Sequence, residues 1–323
     1  MRILVIGAAG YLGAKLSDLL ISQGHEVIAL MREIPKNAET WTQRMTRIIE
    51  GDVRHESTWD TLQEESIDAA VYLISLNHKQ SEGNIGEVID INVTSMWRAL
   101  SWLNKNNLKQ FIYLSTQQVY GILPPVCIDE TFPLSPQNNY ALTHIMCEEI
   151  CYLFNNRKPV HCVNVRVSNG FGAPVFMEND CWWLAINNMC ELAIKYGAIQ
   201  LLSDGTPQRD FIHIDDICRG ISMLLTVEKS YSHTHTYNLG SGQTLTILQL
   251  AHRVANCFQQ KFGRQIPVLL PGGVQSQSDH HHDSIPKFEY QVQKLKALGF
   301  SPQKTLEQGI LDVMDYLVRH KTL

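Results

Sequence analysis

The side chains most able to do chemistry lie mid-sequence, in two short stretches. Leu114-Ser115-Thr116-Gln117-Gln118-Val119-Tyr120-Gly121 closes an apolar run, and 25 residues after Ser115 comes Tyr140-Ala141-Leu142-Thr143-His144. One turn of helix puts positions i and i+4 on the same face, so Tyr140 and His144 can share a pocket. A small hydroxyl, a phenol and a basic ring are the groups needed to move a proton from an alcohol while a nicotinamide takes the hydride. Each has a plainer reading too. Ser115 could cap a strand end, Tyr140 could fill a core, and His144 could pack along its helix.

Such a site needs a scaffold, and the first 31 residues supply one. Arg2-Ile3-Leu4-Val5-Ile6 has the pattern of a buried parallel strand. It runs into Gly7-Ala8-Ala9-Gly10-Tyr11-Leu12-Gly13, after which Leu12, Leu16, Leu19 and Leu20 recur at helical spacing and Gly24 closes the helix. Glycines at a strand-to-helix turn let the backbone approach a pyrophosphate held at the helix N-terminus. The second strand, Glu26-Val27-Ile28-Ala29-Leu30, ends at Met31-Arg32, where a carboxylate would normally take the ribose hydroxyl. Arg32 can instead pair with a 2′-phosphate, so the cofactor is NAD or NADP with a lean to NADP. Arg32 could also only stack on adenine.

Strand patterns at 3–6, 26–30, 47–49, 69–74, 110–114 and 161–166 alternate with helical patterns at 11–22, 57–64, 86–107 and 139–155. That alternation predicts an α/β fold, a Rossmann-type doubly wound parallel sheet covered on both faces. The second half, with helices near 180–196, 215–227, 246–262 and 304–319, predicts a smaller mixed α/β lid for the substrate. Residues 1–166 with about 211–240 are assigned to the dinucleotide domain, and about 167–210 with 241–323 to the lid. Pro267 to Pro286 reads as a long loop.

The chain has 323 residues, 44% hydrophobic and 18% charged, enough for a large core of ordinary composition. A net charge of −5 gives no electrostatic footprint for nucleic acid. No apolar run approaches the ~20 residues that span a bilayer, and a strand at the N-terminus argues against a secretory signal. Eight scattered cysteines without a Cys-x-x-Cys fit a reducing cytoplasm, and Cys147 and Cys151 suggest packing more than ligation.

In these motifs the sequence resembles the extended short-chain dehydrogenase/reductases, in particular the NAD-dependent epimerase/dehydratase group acting on nucleotide sugars. Gly7, Gly10 and Gly13 match its glycine turn. Asp52 and Val53, in Gly51-Asp52-Val53-Arg54, match an adenine-holding segment, and Asn92 a structural asparagine. Ser115-Thr116 and Tyr140 match the catalytic region. Asn169, in Arg166-Val167-Ser168-Asn169-Gly170-Phe171-Gly172, and Arg209, in Gly205-Thr206-Pro207-Gln208-Arg209-Asp210-Phe211-Ile212-His213, match residues that touch the substrate phosphates. Tyr237-Asn238-Leu239-Gly240-Ser241-Gly242 is a further landmark. The resemblance implies a nucleotide-sugar substrate, a cytoplasmic place in glycoconjugate or polysaccharide biosynthesis, and a homodimer through helices 86–107 and 139–155. Trp97, Trp102, Ile145 and Ile150 are the apolar positions that could serve that interface.

Three positions depart from the pattern. His144 stands where the family's Tyr-x-x-x-Lys motif has lysine. One cation about 5 Å from a tyrosine, at an effective dielectric of ~20, contributes roughly 3 kcal/mol, or about 2 pK units off a starting value near ~10. A neutral histidine keeps the hydrogen bond to the cofactor ribose and loses most of that charge. Met31 lacks the ribose acid. Near the C-terminus, Asp279-His280-His281-His282-Asp283 replaces an expected arginine; consecutive loop residues make a poor preformed metal site, and no metal is expected.

After the catalytic threonine, the family's 4,6-dehydratases carry an Asp-Glu pair; Gln117 and Gln118 cannot act as acid or base, which disfavours dehydration. The expected reaction is redox at a ring alcohol, C4 for preference, with epimerisation first and one-step dehydrogenation or ketoreduction second. A nucleotide-binding relative weakened by His144 is the third reading.

Overall fold

A computed structural model describes residues 1–157, 160–227, 235–276 and 286–320. The chain divides into two compact units. The first comprises Met1–Ile122, Glu130–Val167 and Cys218–Leu239. The second comprises Leu123–Asp129, Ser168–Ile217 and Gly240–Leu323. Residues 123–129 and 211–217 thus group with the second unit, whereas the sequence assigns them to the first.

The first unit is a seven-stranded parallel sheet. Its order is Thr236–Leu239, His161–Val167, Gln110–Thr116, Ala69–Tyr72, Arg2–Ile6, Glu26–Met31, Arg47–Glu50. The strand order reverses beside Arg2–Ile6, and at such a switch point the carboxyl ends of the strands open a crevice for ligands. Both faces of the sheet are covered, which is why its inner strands are apolar without alternation. Leu4, Ile28, Met96, Leu100, Cys147, Cys151 and Phe154 belong to one core. None of the eight cysteines, all among the described residues, forms a disulfide, and only Cys127 is exposed.

The helix expected over 86–107 is in three parts: Ile85–Ile89, a π-helical turn Asp90–Thr94, and Ser95–Lys105. Asn84 caps its start by accepting from the Gly86 and Glu87 main-chain N–H groups. Asn92, buried in the π-turn, accepts from the Leu76 N–H at 2.8 Å and donates to Thr143 Oγ1 at 3.0 Å. The Cys147 thiol donates to the Asn92 carbonyl at 3.2 Å, a packing role in line with its spacing from Cys151. The expected 57–64 helix is shorter, Glu56–Asp60.

In the second unit, Gln208–His213 pairs parallel with Asn169–Phe171 and antiparallel with Thr244–Thr246. Helices Ala185–Tyr196, Ile247–Phe262 and Leu306–His320 close around Ile186, Leu250, Val254, Ile310 and Met314. Trp182 packs against this core and lies 6.0 Å from the Tyr316 ring, so it belongs to the unit's interior. A capping box between Thr246 and Gln249 fixes the start of the second helix. The loop read at 267–286 contains the strand Val268–Leu269 and a turn at Pro271–Gly273. Its histidine run, 279–283, lies outside the described residues.

Candidate active site

The site begins at the glycine turn. Gly7 has φ +91°, and its N–H, like that of Ala8, donates to the Leu30 carbonyl of the neighbouring strand. The helix Tyr11–Ser22 starts directly behind, with no side chain capping it. A Cβ on Gly13 would lie 2.1 Å from the Gly7 carbonyl oxygen. Only glycine lets the helix sit this close to the turn, and that closeness brings the helix N-terminus up to where a phosphate would lie. The residues present therefore fit a dinucleotide.

Met31 is buried at the end of its strand, while Arg32 is exposed with no partner among the described residues. Asp52 is gripped by its neighbour: the Arg54 guanidinium donates to both carboxylate oxygens at 2.6–3.1 Å. That grip holds the Asp52 carboxyl down at about 2. The Val53 carbonyl accepts from the Trp59 indole at 3.0 Å, which pins the segment against the core.

The strand Gln110–Thr116 delivers two hydroxyls with different fates. Ser115 Oγ donates to Glu148 Oε1 at 2.5 Å, deep in the unit. Arg166 holds the same carboxylate through Nε and Nη2 and donates from Nη1 to the Tyr120 hydroxyl at 2.9 Å. Tyr120 passes its own hydrogen to Asn238 Oδ1 at 2.7 Å. The Thr116 side chain, in contrast, interacts with the Tyr140 phenol and favours its ionised form. Of the two hydroxyls read as catalytic, Thr116 stands beside the phenol and Ser115 is committed to a buried ion pair.

Tyr140 and His144 lie one turn apart on the helix Asn139–Arg157, ring centroids 4.2 Å apart. His144 Nδ1 is 2.7 Å from the Tyr140 main-chain carbonyl oxygen. A carbonyl only accepts, so Nδ1 carries the hydrogen and Nε2 keeps its lone pair. Burial pushes the imidazole down to about 4, against weaker support from that carbonyl and from Glu148. His144 is therefore neutral near pH 7. Burial likewise pushes the Tyr140 phenol up to about 12, with the Thr116 contact opposing it.

Glu148 and Arg166 are the pair that reading the sequence for chemistry passes over. Their signal was present: Tyr140, His144 and Glu148 recur at i, i+4 and i+8, one stripe of a helix.

In the second unit, Arg209 is exposed, and among the described residues it donates to the adjacent Gln208 carbonyl at 2.7 Å. It pairs with neither Asp210 nor Asp215. Asp210 is buried and accepts from the Ser168 and Ser241 hydroxyls and from the Ser241 and Gln243 amides. Asn169 donates to the Asp210 carbonyl at 2.8 Å. Asp216 accepts from the Gln303 and Lys304 amides, so it braces that loop from inside its helix. A cavity of about 390 Å³ against Phe171, His213 and 302–307 includes neither Asn169 nor Arg209 in its wall. Among the described residues no cluster of three or more His, Cys, Asp or Glu could hold a metal, and no helix is long and apolar enough to cross a membrane.

A family model described as the NAD dependent epimerase/dehydratase family matches residues 3–240, which include every site residue named above from Gly7 to Arg209. The chain belongs to this family. It is 26% identical over 297 residues to a UDP-glucose 4-epimerase of Bacillus subtilis (strain 168), covering 83% of this chain and 84% of that protein. It is 24% identical to a dTDP-glucose 4,6-dehydratase of Streptomyces niveus, covering 98% and 92%. Among solved structures, a UDP-glucuronic acid 4-epimerase of Bacillus cereus, in complex with UDP-glucuronic acid and NAD, superposes with a TM-score of 0.81. That likeness covers 99% of each chain at 21% identity. Members of the epimerase/dehydratase family thus share this fold across the full length of the chain.

Proposed function

We propose that this family member performs NAD(P)-dependent oxidoreduction at C4 of a nucleotide-activated sugar, acting as an epimerase. The observation that carries the reading is the contact between Thr116 and the Tyr140 hydroxyl at the carboxyl end of a central strand. Tyr140 would take the proton of the reacting ring hydroxyl and return it, with Thr116 holding that oxygen in line. His144 would accept a hydrogen bond from the cofactor ribose through Nε2. When bound, the nicotinamide supplies the hydride acceptor and donor. Gly7, Gly10, Tyr11, Leu12 and Gly13 would hold its pyrophosphate, and Asp52 and Val53 its adenine end. Asn169 and Arg209, whose guanidinium meets no carboxylate among the described residues, suit a nucleotide diphosphate. Likeness to UDP-glucose 4-epimerases supports the choice of C4, and the glutamines after Thr116 set the chain apart from 4,6-dehydratases.

Arg32 favours a second reading, a one-step dehydrogenase or ketoreductase using NADP. With no carboxylate at Met31 and no partner for Arg32 among the described residues, the end of that strand suits a 2′-phosphate. One experiment separates the two. The purified protein is denatured, released nucleotide is identified by mass spectrometry, and UDP-sugars are assayed for inversion at C4. Retained NAD(H) with inversion supports the epimerase; an empty site that takes NADP(H) and turns over once per cofactor supports the alternative.

A homodimer through 95–105 and 139–157 is part of the proposal. Trp97 (43% exposed) and Tyr152 (53%) present apolar surface there, and the Trp97 ring stands edge-on to Phe154 at 5.6 Å. Trp102 and Ile150 pack into or against the core and are unsuited to the interface. Trp97→Asp should give a monomer by light scattering. Eight cysteines without a disulfide support a reducing, cytoplasmic setting.

A further inference from the structure

Three helices of the second unit finish at one end of it. Ile247–Phe262 and Leu306–His320 run side by side in the same direction: Arg253 pairs with Glu307 at 2.7 Å, and two turns further on Lys261 pairs with Asp315. Left-handed glycines stop Ala185–Tyr196 at Gly197 (φ +64°) and Ile247–Phe262 at Gly263 (φ +71°). A Cβ on Gly197 would lie 3.1 Å from Arg264 Nη2, so those two ends adjoin. Lys195, Lys261, Arg264 and Arg319 gather there, and beside them Tyr196 is 65% exposed, Val318 54% and Phe262 40%. The two kinds of side chain are interleaved. Lys195 Nζ stands 5.1 Å from the centre of the Tyr196 ring, and Lys261 Nζ 5.9 Å from that of Phe262. Arg264 Cζ stands 5.6 Å from the centre of the Phe258 ring, itself 4.6 Å from Phe262. In the last two turns of the three helices the carboxylates are Asp315, which Lys261 holds, and Glu191. Helix dipoles draw cations to C-termini. They give no reason for a tyrosine, a phenylalanine and a valine to stand in water among those cations.

We propose that this end of the second unit is a peripheral docking surface for a bilayer carrying anionic phospholipid. Charge complementarity selects the partner: the chain as a whole is at −5, and a local excess of Lys and Arg is what anionic headgroups attract. The apolar tips supply the rest. Tyrosine suits the headgroup boundary, with its ring in the apolar layer and its hydroxyl in water, and Phe262 and Val318 reach the same layer. Lysine and arginine stems lie along the rings while their charged heads stay wet. An acidic polypeptide would answer the charge alone, whereas a bilayer answers both. The chain lies on the membrane and does not cross it, since no helix among the described residues is long and apolar enough to span one. The inference goes beyond the reaction and does not depend on it.

Co-sedimentation of the full chain is measured with vesicles of phosphatidylcholine alone and with about one-third phosphatidylglycerol. Binding should be about tenfold or more tighter to the anionic vesicles and should fall as salt is raised. Lys195→Glu with Arg264→Glu should bring it down to the level seen on neutral vesicles. Tyr196→Ser with Phe262→Ser, which keeps every cation, should weaken it about tenfold. Lys79→Glu, in the first unit, should leave it unchanged. Thermal melts check the fold of each variant, and if the aromatic pair does not fold, Tyr196→Ser alone is read in the same way. No preference for the anionic vesicles overturns the proposal, as does wild-type binding by the charge-reversed or the aromatic variant. An equal loss from Lys79→Glu overturns it too, because the attraction would then belong to the charge of the whole chain. Tighter binding to soluble polyglutamate than to the vesicles assigns the surface to an acidic polypeptide and overturns the membrane reading.

Discussion

His144 Nδ1 donates to the main-chain carbonyl of Tyr140, 2.7 Å away and one helical turn back. The bond uses the ring's one hydrogen on the helix itself and turns the bare Nε2 outward from it. A lysine at this position would bring a permanent cation and three donors. The neutral ring brings an acceptor and no charge.

Because burial holds Tyr140 high and no cation stands at 144, the rate should climb with pH through the neutral range. His144→Lys should move the basic limb of the kcat/KM profile about 2 pH units toward acid and raise the rate at pH 7 by about tenfold or more. A limb that stays put would argue against the charge deficit.

Stability should show the same residue with the opposite dependence on acid. The folded-state value of about 4 lies below the ordinary 6.5, so the unfolded chain takes up the proton first. The neutral ring's contribution is whole above pH 6.5 and is lost as pH falls from there to about 4. The full loss is about 3 kcal/mol. Urea titrations at pH 7 and pH 4 should show the wild type losing about that much more than His144→Gln.

The two neighbouring hydroxyls should separate cleanly. Tyr140→Phe and Thr116→Val should each lower kcat/KM about 10²-fold with dinucleotide binding intact. Ser115→Ala, which strips one donor from Glu148, should leave kcat within a few fold and lower stability by about 1–2 kcal/mol. A Ser115→Ala protein as slow as Thr116→Val would return Ser115 to the chemistry.

Arg209→Ala should raise KM for a nucleotide sugar about tenfold or more while kcat changes little, the pattern of lost uniform binding. Gly13→Ala should abolish dinucleotide binding in a fluorescence titration, since its methyl group would overlap the Gly7 carbonyl.

The sheet was legible because its inner strands are apolar end to end and the glycine turn has one geometric purpose. The second unit was not, because Asn169–Phe171, Thr244–Thr246 and the two-residue strands are too short to carry a period. Residue types located Tyr140 and His144. They could not divide the work between Ser115 and Thr116, since that depends on Glu148 and Arg166, drawn from another helix and another strand. Gln117 and Gln118 were legible as residues unable to do acid–base work; that Gln118 accepts from Asn138 at the start of the tyrosine helix shows only in three dimensions.

The π-turn at Asp90–Thr94 carries a consequence for insertions and deletions. One extra residue per turn sets the angular phase of everything after it, including Ser95, whose hydroxyl meets that of Tyr72 at 2.6 Å. Ordinary α pitch over the same five residues would turn the downstream helix by roughly 90° more, whereas losing one residue together with the wide turn would leave it nearly in phase. In the first case Trp97 would turn away from Phe154, and the Ser95 hydroxyl from that of Tyr72. The extra residue and the wide turn are therefore kept together or lost together, and a length change that alters one without the other should misplace everything from Ser95 on.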